Sequence, residues 1–291
     1  MKTFVTGSTG FVGSALASRL GSFEPLHFGR ADWGSQLASA DLRDATVFHL
    51  AARVHEADAT AAQFEADNVA KTAELAKAAA AKGARRLVFL STVKVNGEET
   101  TGQPFTAHDA PRPQGPYGES KWRAEQALAA TPGLAWAIVR SPLVYGPRAG
   151  GNLRELLRVA DSPWPLPFAC IGNRRSFVHV DDLARLLIEC ASHRAAAGAT
   201  FMAAHAEPVS TARLLAALRE ALSRSRRLFC VPAGVLDTAA RIAGVGERMA
   251  RLTRSLEIDP TSTHTALGWS AAVGIEEAVR EMARDYLEAR P

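Results

Sequence analysis

Gly7-Ser8-Thr9-Gly10-Phe11-Val12-Gly13 joins a short apolar strand, residues 2–6, to the helical pattern of residues 14–20. In this context glycines let the backbone approach a dinucleotide pyrophosphate, and the helix start offers unpaired N–H groups and a positive dipole end. The spacing is G-x-x-G-x-x-G instead of G-x-G-x-x-G, and a tight strand-to-helix turn without a ligand is the alternative. The stretch predicts an α/β fold that opens with a dinucleotide-binding loop.

A second short strand, residues 26–28, ends at Gly29-Arg30. At this point of a dinucleotide fold an acidic residue bonds the ribose 2′-hydroxyl of NAD, whereas an arginine suits the 2′-phosphate of NADP. Arg30 therefore favours NADP(H). Asp32 lies two residues further on and would serve the ribose of NAD(H), so both cofactors stay open.

Two further apolar stretches predict strands that end in small or polar residues. Residues 46–52 finish with small side chains, which permit close approach of a ligand, and residues 86–90 deliver Ser91-Thr92. Ligands bind at the carboxyl edge of open α/β sheets. His49 is flanked by apolar residues, and we interpret it as a structural histidine instead of a catalyst.

Tyr117-Gly118-Glu119-Ser120-Lys121 places a phenol and an ammonium four residues apart, on one face of a helix. A nearby cation favours the phenolate and lowers the pKa of a tyrosine from about 10 toward neutral values. The pair therefore predicts an acid/base site. Tyr-x-x-x-Lys also occurs on ordinary helices by chance, so its meaning depends on the motifs around it.

Composition bounds the class of protein. The 291 residues are 47% hydrophobic, which predicts a globular protein with a large core. The net charge of +4 is spread along the chain, which disfavours nucleic acid and favours an anionic small molecule as partner. Cys170, Cys190 and Cys230 lie far apart without metal-like spacing, so we expect neither a disulfide framework nor a metal site.

The first residues of the chain and the length of its apolar runs indicate the cell compartment that we expect for the protein. The first residues turn glycine-rich too early for a signal peptide. No apolar run approaches the roughly 20 residues of a membrane span. We therefore expect a protein of the reducing cytoplasm that is not inserted in a membrane.

Several motifs occur together and in the order found in one family. They are the Gly7/Gly10/Gly13 loop, His49-Leu50-Ala51-Ala52, Asn68, Leu90-Ser91-Thr92 with Gly97, Pro116-Tyr117-Gly118-Glu119-Ser120-Lys121, Val144-Tyr145-Gly146-Pro147 and Arg175-Ser176-Phe177-Val178-His179-Val180-Asp181-Asp182. With these motifs the chain resembles an extended short-chain dehydrogenase/reductase, in the branch of the nucleotide-sugar 4-epimerases, dehydratases and 4-keto-reductases. The likeness covers residues 1–185, with a weaker match at 266–269.

The resemblance implies a Rossmann-type doubly wound parallel sheet with a smaller, mostly helical C-terminal substrate domain. We predict that residues 1–145 and 176–204 form the dinucleotide domain, and that 146–175 and 205–291 form a substrate-binding lid. Residues 176–190 and 199–203 are predicted as a helix and a strand that return to the main sheet. The predicted helix of residues 59–82 and the helix that begins near Tyr117 would build the interface of a homodimer.

The resemblance also implies roles for single residues. Tyr117 would be the acid/base, and Lys121 would lower the pKa of Tyr117 and hold the nicotinamide ribose. Thr92, with Ser91 beside it, would hydrogen-bond the reacting sugar oxygen. Together with Arg30, the cofactor contacts would be Gly7, Gly10, Phe11, Val12, Gly13, Asp41, Leu42, Leu50, Ala51, Ala52, Asn68 and Pro142. The contacts to a nucleoside-diphosphate substrate would be Asn152, Leu153 and Arg175, although Arg174-Arg175 also fits a surface pair.

The chain departs from the family pattern at three places. Leu143 stands where asparagine is common, which removes one polar contact to the substrate. Asn96 replaces the usual tyrosine, and this variant resembles a sub-branch with proposed reductases of 4-keto-N-acetyl sugar nucleotides in surface polysaccharide synthesis. Only 18 residues separate Arg30 from His49, so the third-strand region is short and affects the alignment of Asp41-Leu42.

We expect hydride transfer at C4 of a hexose carried by a nucleoside diphosphate. Arg30, the Lys94–Asn96 variant and the modest length favour reduction of a 4-keto nucleotide sugar, such as a UDP-4-keto-N-acetyl-hexosamine, with exchangeable NADPH. A UDP-glucose or UDP-N-acetylglucosamine 4-epimerase with tightly held NAD is the alternative. A dehydratase is disfavoured because Thr92-Val93-Lys94 replaces its Thr-Asp-Glu. A non-catalytic dinucleotide-binding regulatory protein is the alternative of another class.

Overall fold

A computed structural model describes residues 2–29, 31–54 and 59–289. Short runs rich in β-branched and aromatic residues form strands that all pair in parallel. These strands are β1 (Thr3–Thr6), β2 (Glu24–Leu26), β3 (Thr46–His49), β4 (Arg86–Thr92), β5 (Trp136–Ser141), β6 (Leu143–Tyr145), β7 (Phe177–His179) and β8 (Ala199–Met202).

Helices follow most of the strands, as parallel pairing requires. They are α1 (Phe11–Ala17), α2 (Trp33–Ser39), α3 (Ala61–Phe64), α4 (Lys71–Ala81), α5 (Gly115–Ala129), α6 (Gly151–Asp161), α7 (Val180–Ser192), α8 (Thr211–Ala221), α9 (Ala233–Ile242), α10 (Gly246–Thr253), α11 (Thr261–Leu267) and α12 (Ile275–Glu288). Two 3-10 turns, Val93–Val95 and Arg194–Ala196, and one π-helical segment, Glu65–Ala70, complete these elements.

The main sheet has the order β2-β1-β3-β4-β5-β8. After β1 the chain adds β2 on one side, and it then crosses back to add β3 on the other side of β1. The strand order reverses at this point, which opens a crevice at the carboxyl ends of β1 and β3. Within the described residues no strand lies between β2 and β3, in agreement with the short third-strand region. The predicted Rossmann-type doubly wound sheet is confirmed.

Alternate residues of the central strands fill two separate cores, one on each face of the main sheet. Val5 and Phe48 pack with α1 and α7 on one face, while Phe4, Val47 and Phe89 pack with α2, α4 and α5 on the other. Strands buried on both faces are expected where helices cover a parallel sheet. The sheet is thereby a rigid support for the loops at its carboxyl edge.

A third core lies around the small sheet formed by β6 and β7. Its members include Tyr145 and Phe177 together with apolar residues of α6, α8, α9 and α12. This part of the chain is mostly helical, as predicted for the substrate domain. The predicted domain boundary assigned Tyr145 and Phe177 to the dinucleotide domain, and the division into two domains remains a prediction.

The expectation that residues 176–190 form one helix against the main sheet was partly wrong. Phe177–His179 instead pairs with Leu143–Tyr145 in a separate two-stranded sheet, and α7 begins only at Val180. The His179 ring accepts the backbone N–H of Asp181, which caps the helix and fixes its start. The predicted strand near residue 199 does return to the main sheet, as β8.

The expectation of no disulfide was also wrong. Cys170 and Cys230 are bonded, with their Cα atoms 4.8 Å apart. Leu166 and Leu228 pair as neighbouring extended residues just before the two cysteines, and this pairing brings together positions 60 residues apart in sequence. The spacing of the cysteines along the chain carries no such information. Cys190 is free and buried, and burial raises the pKa of its thiol to about 12.

Among the described helices, none is both long enough and apolar enough to cross a membrane.

Candidate active site at the carboxyl edge of the sheet

The glycine loop folds tightly on itself after β1. Gly7 has φ +71°, and a Cβ there would lie 2.8 Å from the backbone nitrogen of Ala51. A Cβ at Gly13 would lie 1.9 Å from the carbonyl oxygen of Gly7, so no side chain fits. The backbone N–H of Gly10 donates to that same oxygen at 3.0 Å. This compact backbone cradle fits a dinucleotide, because the cofactor needs close approach of the main chain.

His49 is a structural histidine, as interpreted from the sequence. The ring is fully buried, with Nδ1 2.7 Å from the Thr6 hydroxyl and Nε2 2.8 Å from the Thr72 hydroxyl. Desolvation, assisted by the charge of Lys121, holds the pKa of His49 well below its usual value, so the ring is neutral. The Thr6 hydroxyl also accepts the N–H groups of Leu50 and Ala51, which fixes the turn after β3.

Asn68 holds this turn to helix α5. It lies in the π-helical segment, a local irregularity that is frequent at functional sites. Its side-chain oxygen accepts the N–H of Arg53 at 2.7 Å, and its nitrogen donates to the Arg53 carbonyl and to the Ser120 hydroxyl, each at 3.0 Å. Asn68 thus links the loop after β3 to the turn that carries Tyr117 and Lys121.

Tyr117 and Thr92 lie together at the end of β4. Burial raises the pKa of Tyr117 to about 12, and a hydrogen bond from Thr92 opposes this rise. Lys121 is not among the causes of this shift, so the expectation that Lys121 lowers the pKa of Tyr117 stays a prediction. Thr92 sits at the carboxyl end of its strand, so the pair stands at the edge where ligands bind.

Lys121 lies one helical turn below Tyr117 and is almost fully buried. Its Nζ donates to the Leu90 carbonyl at 2.8 Å and lies 3.8 Å from the centre of the Phe89 ring. Burial lowers the pKa of Lys121 to about 7, and the charge of Glu125 opposes this change. A lysine with such a pKa changes its charge near neutral pH, which is a common property of functional lysines.

The Ser91 side chain is directed toward Glu125 instead of toward the Tyr117–Thr92 pair. Neighbouring residues of a strand point to opposite faces, and the Ser91 hydroxyl donates to Glu125 at 2.5 Å. Of the two hydroxyl residues predicted to hold the sugar oxygen, Thr92 bonds Tyr117, whereas Ser91 bonds Glu125. The sequence had placed the two side by side, and strand alternation separates them.

Most of the predicted cofactor residues converge at the carboxyl edge. They follow the ends of β1, β3 and β5 or lie on helices that pack there: Gly7, Gly10, Phe11, Val12, Gly13, Leu50, Ala51, Ala52, Asn68 and Pro142. Arg30 lies outside the described residues. The side chain that would sort NAD from NADP therefore stays a prediction.

Asp41 and Leu42 are not brought to this edge. Both precede β3, and Asp41 pairs with Lys2, which precedes β1, so they lie at the amino end of the sheet. Leu42 is fully buried in the core. With the third-strand region shortened, these residues run directly into β3 from the side opposite the glycine loop. Neither residue belongs to the candidate site.

The predicted substrate residues differ in their accessibility. Asn152 is exposed on the first turn of α6, whereas Leu153 is buried in the third core. The Arg175 guanidinium donates to the Arg254 carbonyl at 3.0 Å. Burial lowers the pKa of Arg175, and the nearby charge of Glu98 opposes this effect. Arg175 is therefore a partly buried cation held in place, which suits an anion site better than a solvated surface pair.

Two residues that the sequence did not single out are the largest addition to the site. Glu125 and Arg140 form a buried ion pair at 2.6 Å directly behind Lys121. The sequence pattern that could have identified Glu125 is its spacing on the helix. Glu125 follows Tyr117 by eight residues and Lys121 by four, so all three share one helix face.

Comparison with known proteins shows which family and fold the chain shares. The model of the NAD dependent epimerase/dehydratase family matches residues 3–204. The UDP-glucose 4-epimerase of Vibrio cholerae is 33% identical over 98% of this chain and 95% of its own length. The fold is shared with the UDP-glucuronic acid 4-epimerase of Bacillus cereus in complex with NAD, at TM-score 0.78, 19% identity and 99% of both chains. It is also shared with RMD of Pseudomonas aeruginosa complexed with NADPH, at TM-score 0.79, 21% identity and 99% of both chains.

The match covers the glycine loop, Tyr117 and Lys121, and the V. cholerae relative extends it over nearly the whole chain. The chain therefore belongs to the NAD dependent epimerase/dehydratase family and is an NAD(P)-dependent sugar-nucleotide enzyme.

Proposed function

We propose that the protein catalyses hydride transfer at C4 of a hexose carried by UDP, and that it does so as a 4-epimerase. The observation that carries this proposal is the meeting of Thr92, Tyr117 and Lys121 beside the glycine loop. Oxidation of a secondary alcohol needs a proton acceptor at its oxygen and a hydride acceptor at its carbon. These side chains meet the first need, and a nicotinamide bound in the crevice at the carboxyl ends of β1 and β3 would meet the second.

Three side chains carry out the proton transfer in the proposed reaction. Tyr117 Oη takes the proton from the C4 hydroxyl when the sugar is oxidised and returns it when the 4-keto sugar is reduced. The Thr92 hydroxyl orients the C4 oxygen toward Tyr117. Lys121 in its ammonium form stabilises the phenolate of Tyr117. NAD(H) or NADP(H), held by the glycine loop and residues 50–52, supplies and accepts the hydride when bound.

The same residues would serve a reductase of 4-keto nucleotide sugars. Asn96 favours this second candidate, because it replaces the family's usual tyrosine and its side chain is committed to Arg140 and to the Thr106 carbonyl. The near full-length likeness to a UDP-glucose 4-epimerase favours the first. The two candidates differ in whether the cofactor is kept through the cycle or exchanged.

The remaining parts of the proposal concern partners and setting. Arg175 binds the diphosphate of the UDP-sugar, and Asn152, exposed on α6, is a further substrate contact. A homodimer forms through α5 and the helical segment of residues 61–81, and the product serves surface polysaccharide synthesis. We place the enzyme in the cytoplasm.

The test is a conversion assay that separates the two candidates. Purified protein, with its co-purified cofactor identified by absorbance, is incubated with UDP-glucose or UDP-N-acetylglucosamine and followed by proton NMR. An epimerase forms the C4 epimer without added cofactor. A reductase forms none but oxidises added NADPH in the presence of a UDP-4-keto-N-acetyl-hexosamine. Absence of both reactions, with NAD(H) still bound, would contradict the proposed chemistry and favour a non-catalytic binding protein.

A further inference from the structure

Tyr117, Lys121 and Glu125 form a continuous stripe on the face of α5 that packs against β4. They are spaced by four residues, so each lies one turn below the previous one. Tyr117 meets Thr92, Lys121 meets the Leu90 carbonyl, and Glu125 meets Ser91. The last contact is remote from the solvent, because Glu125 is 2% exposed.

The Glu125 carboxylate is held from two strands. The Ser91 hydroxyl of β4 donates to it at 2.5 Å. Arg140 of β5 donates to it through Nη2 at 2.6 Å and through Nε at 3.1 Å, a two-pronged geometry that fixes both side chains. Arg140 is 4% exposed, so the pair is shielded from water and salt.

The network continues to the loop that precedes α5. The remaining guanidinium nitrogen of Arg140, Nη1, donates to the Asn96 side-chain oxygen at 3.1 Å. The Asn96 side-chain nitrogen donates in turn to the Thr106 carbonyl at 3.1 Å. Asn96 is 2% exposed. The network therefore joins α5, β4, β5 and the long loop of residues 96–114 at one buried point below Lys121.

Lys121 needs this counter-charge. Its ammonium has one carbonyl partner and an aromatic ring as neighbours, and burial favours its neutral form. Within the described part of the chain, the ionisable groups around it are Tyr117 and Glu125 on α5 and the neutral His49 on β3, while Arg140 pairs with Glu125. Of these groups, Glu125 is the one whose charge favours the ammonium form of Lys121.

We propose that the Glu125–Arg140 pair, anchored by Ser91 and Asn96, is a positioning device that holds Lys121 as an ammonium ion beneath Tyr117. Arg140 holds the Glu125 carboxylate in place, and Glu125 supplies the charge that keeps the proton on Lys121. This inference rests on the proposed function for its catalytic meaning. Glu125 touches neither substrate nor cofactor in this account, so it acts only through Lys121.

The test measures the titration of Lys121 directly by NMR. The chain has six lysines, Lys2, Lys71, Lys77, Lys82, Lys94 and Lys121, so protein labelled with carbon-13 at lysine Cε has six signals to follow by NMR during a pH titration. The Lys121 signal is assigned by its loss in Lys121→Arg. Glu125→Gln removes the charge but keeps the shape, and we expect the midpoint for Lys121 to fall by about one pH unit. Glu119→Gln, on the exposed side of the same helix, is the matched control and leaves it unchanged.

A second variant protects the test against misfolding, since Glu125→Gln leaves Arg140 buried without its partner. In Glu125→Gln/Arg140→Met both charges are replaced by neutral side chains, and we expect the Lys121 midpoint to fall here as well. A Lys121 midpoint that stays at its wild-type value in both variants overturns the proposal. This readout does not depend on turnover, so failure of the proposed sugar chemistry is detected separately, in the conversion assay.

The pH profile of turnover gives the catalytic consequence. The reaction uses the ammonium form of Lys121, so activity is lost as pH rises through the pKa of Lys121. If Glu125 holds the proton there, Glu125→Gln moves this alkaline limb to lower pH by the same shift that NMR measures. An alkaline limb that stays in place while kcat falls indicates a merely structural role and contradicts the proposal.

Discussion

The Thr92 hydroxyl is hydrogen-bonded to Tyr117, which joins the last residue of β4 to the first turn of α5. The bond counteracts the burial that raises the pKa of Tyr117. The predicted acid/base pair is therefore positioned by a strand end as well as by the helix that carries its motif.

Replacing Thr92 by valine keeps the side-chain shape and removes this bond. We expect the pKa of Tyr117 to rise further and turnover to fall about 5-fold, because a hydrogen bond of this kind contributes about 1 kcal/mol. Steady-state kinetics on the UDP-hexose measure the change. Thr265→Val, on the exposed face of α11, is the matched control. Equal kcat values for Thr92→Val and wild type would show that the bond has no catalytic role.

Gly13→Ala tests the backbone cradle. The added Cβ would meet the Gly7 carbonyl oxygen at 1.9 Å, so the loop must move. We expect loss of measurable NAD(H) or NADP(H) binding by calorimetry, and a fall of about 2 kcal/mol in the free energy of unfolding. Gly21→Ala is the control, since nothing lies within 4 Å of its Cβ position. Unchanged cofactor affinity in Gly13→Ala would place the dinucleotide elsewhere.

The stability of the protein should depend on pH through Lys121. Burial lowers the pKa of Lys121 in the folded state to about 7, against an ordinary value of 10.5 when unfolded, with Glu125 opposing the change. Between these values the unfolded chain binds the proton and the folded one does not, so stability rises with pH. Below pH 7 both states are protonated and the lysine imposes its largest cost.

Thermal unfolding of wild type and Lys121→Met, from pH 6 to 9.5 without cofactor, measures this dependence. The Tm of wild type should rise relative to that of the variant as pH increases above 7. Both proteins carry Tyr117, so ionisation of this tyrosine near the upper end of the range affects both Tm values and largely cancels in their difference. A difference in Tm that is constant with pH would mean that Lys121 titrates normally in the folded protein.

The Cys170–Cys230 disulfide is expected to raise the free energy of unfolding of the protein. Because it closes a loop of 60 residues, we expect reduction to lower the free energy of unfolding by about 2–4 kcal/mol. Denaturant unfolding with and without reductant measures this loss, and Cys170→Ser/Cys230→Ser should be insensitive to reductant. Thiol titration of oxidised, denatured protein should find Cys190 alone. Three thiols under these conditions would show that the bond does not form.

Local features of the sequence predicted the parts of the site that depend on local geometry. The glycine loop follows from residues that must lie side by side, and the Tyr117–Lys121 pair follows from the period of one helix. The doubly wound sheet follows from strands that alternate with helices. Each of these rests on contacts between residues close in the chain or on one regular element.

The features that the sequence did not reveal depend on contacts between distant segments. Ser91 turned to Glu125 because strand alternation sent it to the face where α5 packs, and Arg140 joined them from a third element. Cys170 and Cys230 met because two extended segments pair. Asp41 was displaced because the strand that would precede it is missing. Register and packing across elements decide such contacts, and neither is visible in residue spacing.

The most direct measurement is turnover by Tyr117→Phe, which removes one oxygen atom and leaves the ring against Phe64. We predict that conversion of the UDP-hexose falls by about 100-fold to 10,000-fold, the usual contribution of a general acid/base, while calorimetry finds unchanged NAD(H) or NADP(H) binding. Tyr286→Phe, whose hydroxyl bonds Asp161 in the third core, is the matched control and should keep full activity. Wild-type turnover in Tyr117→Phe would contradict the assignment of the catalytic proton to this residue.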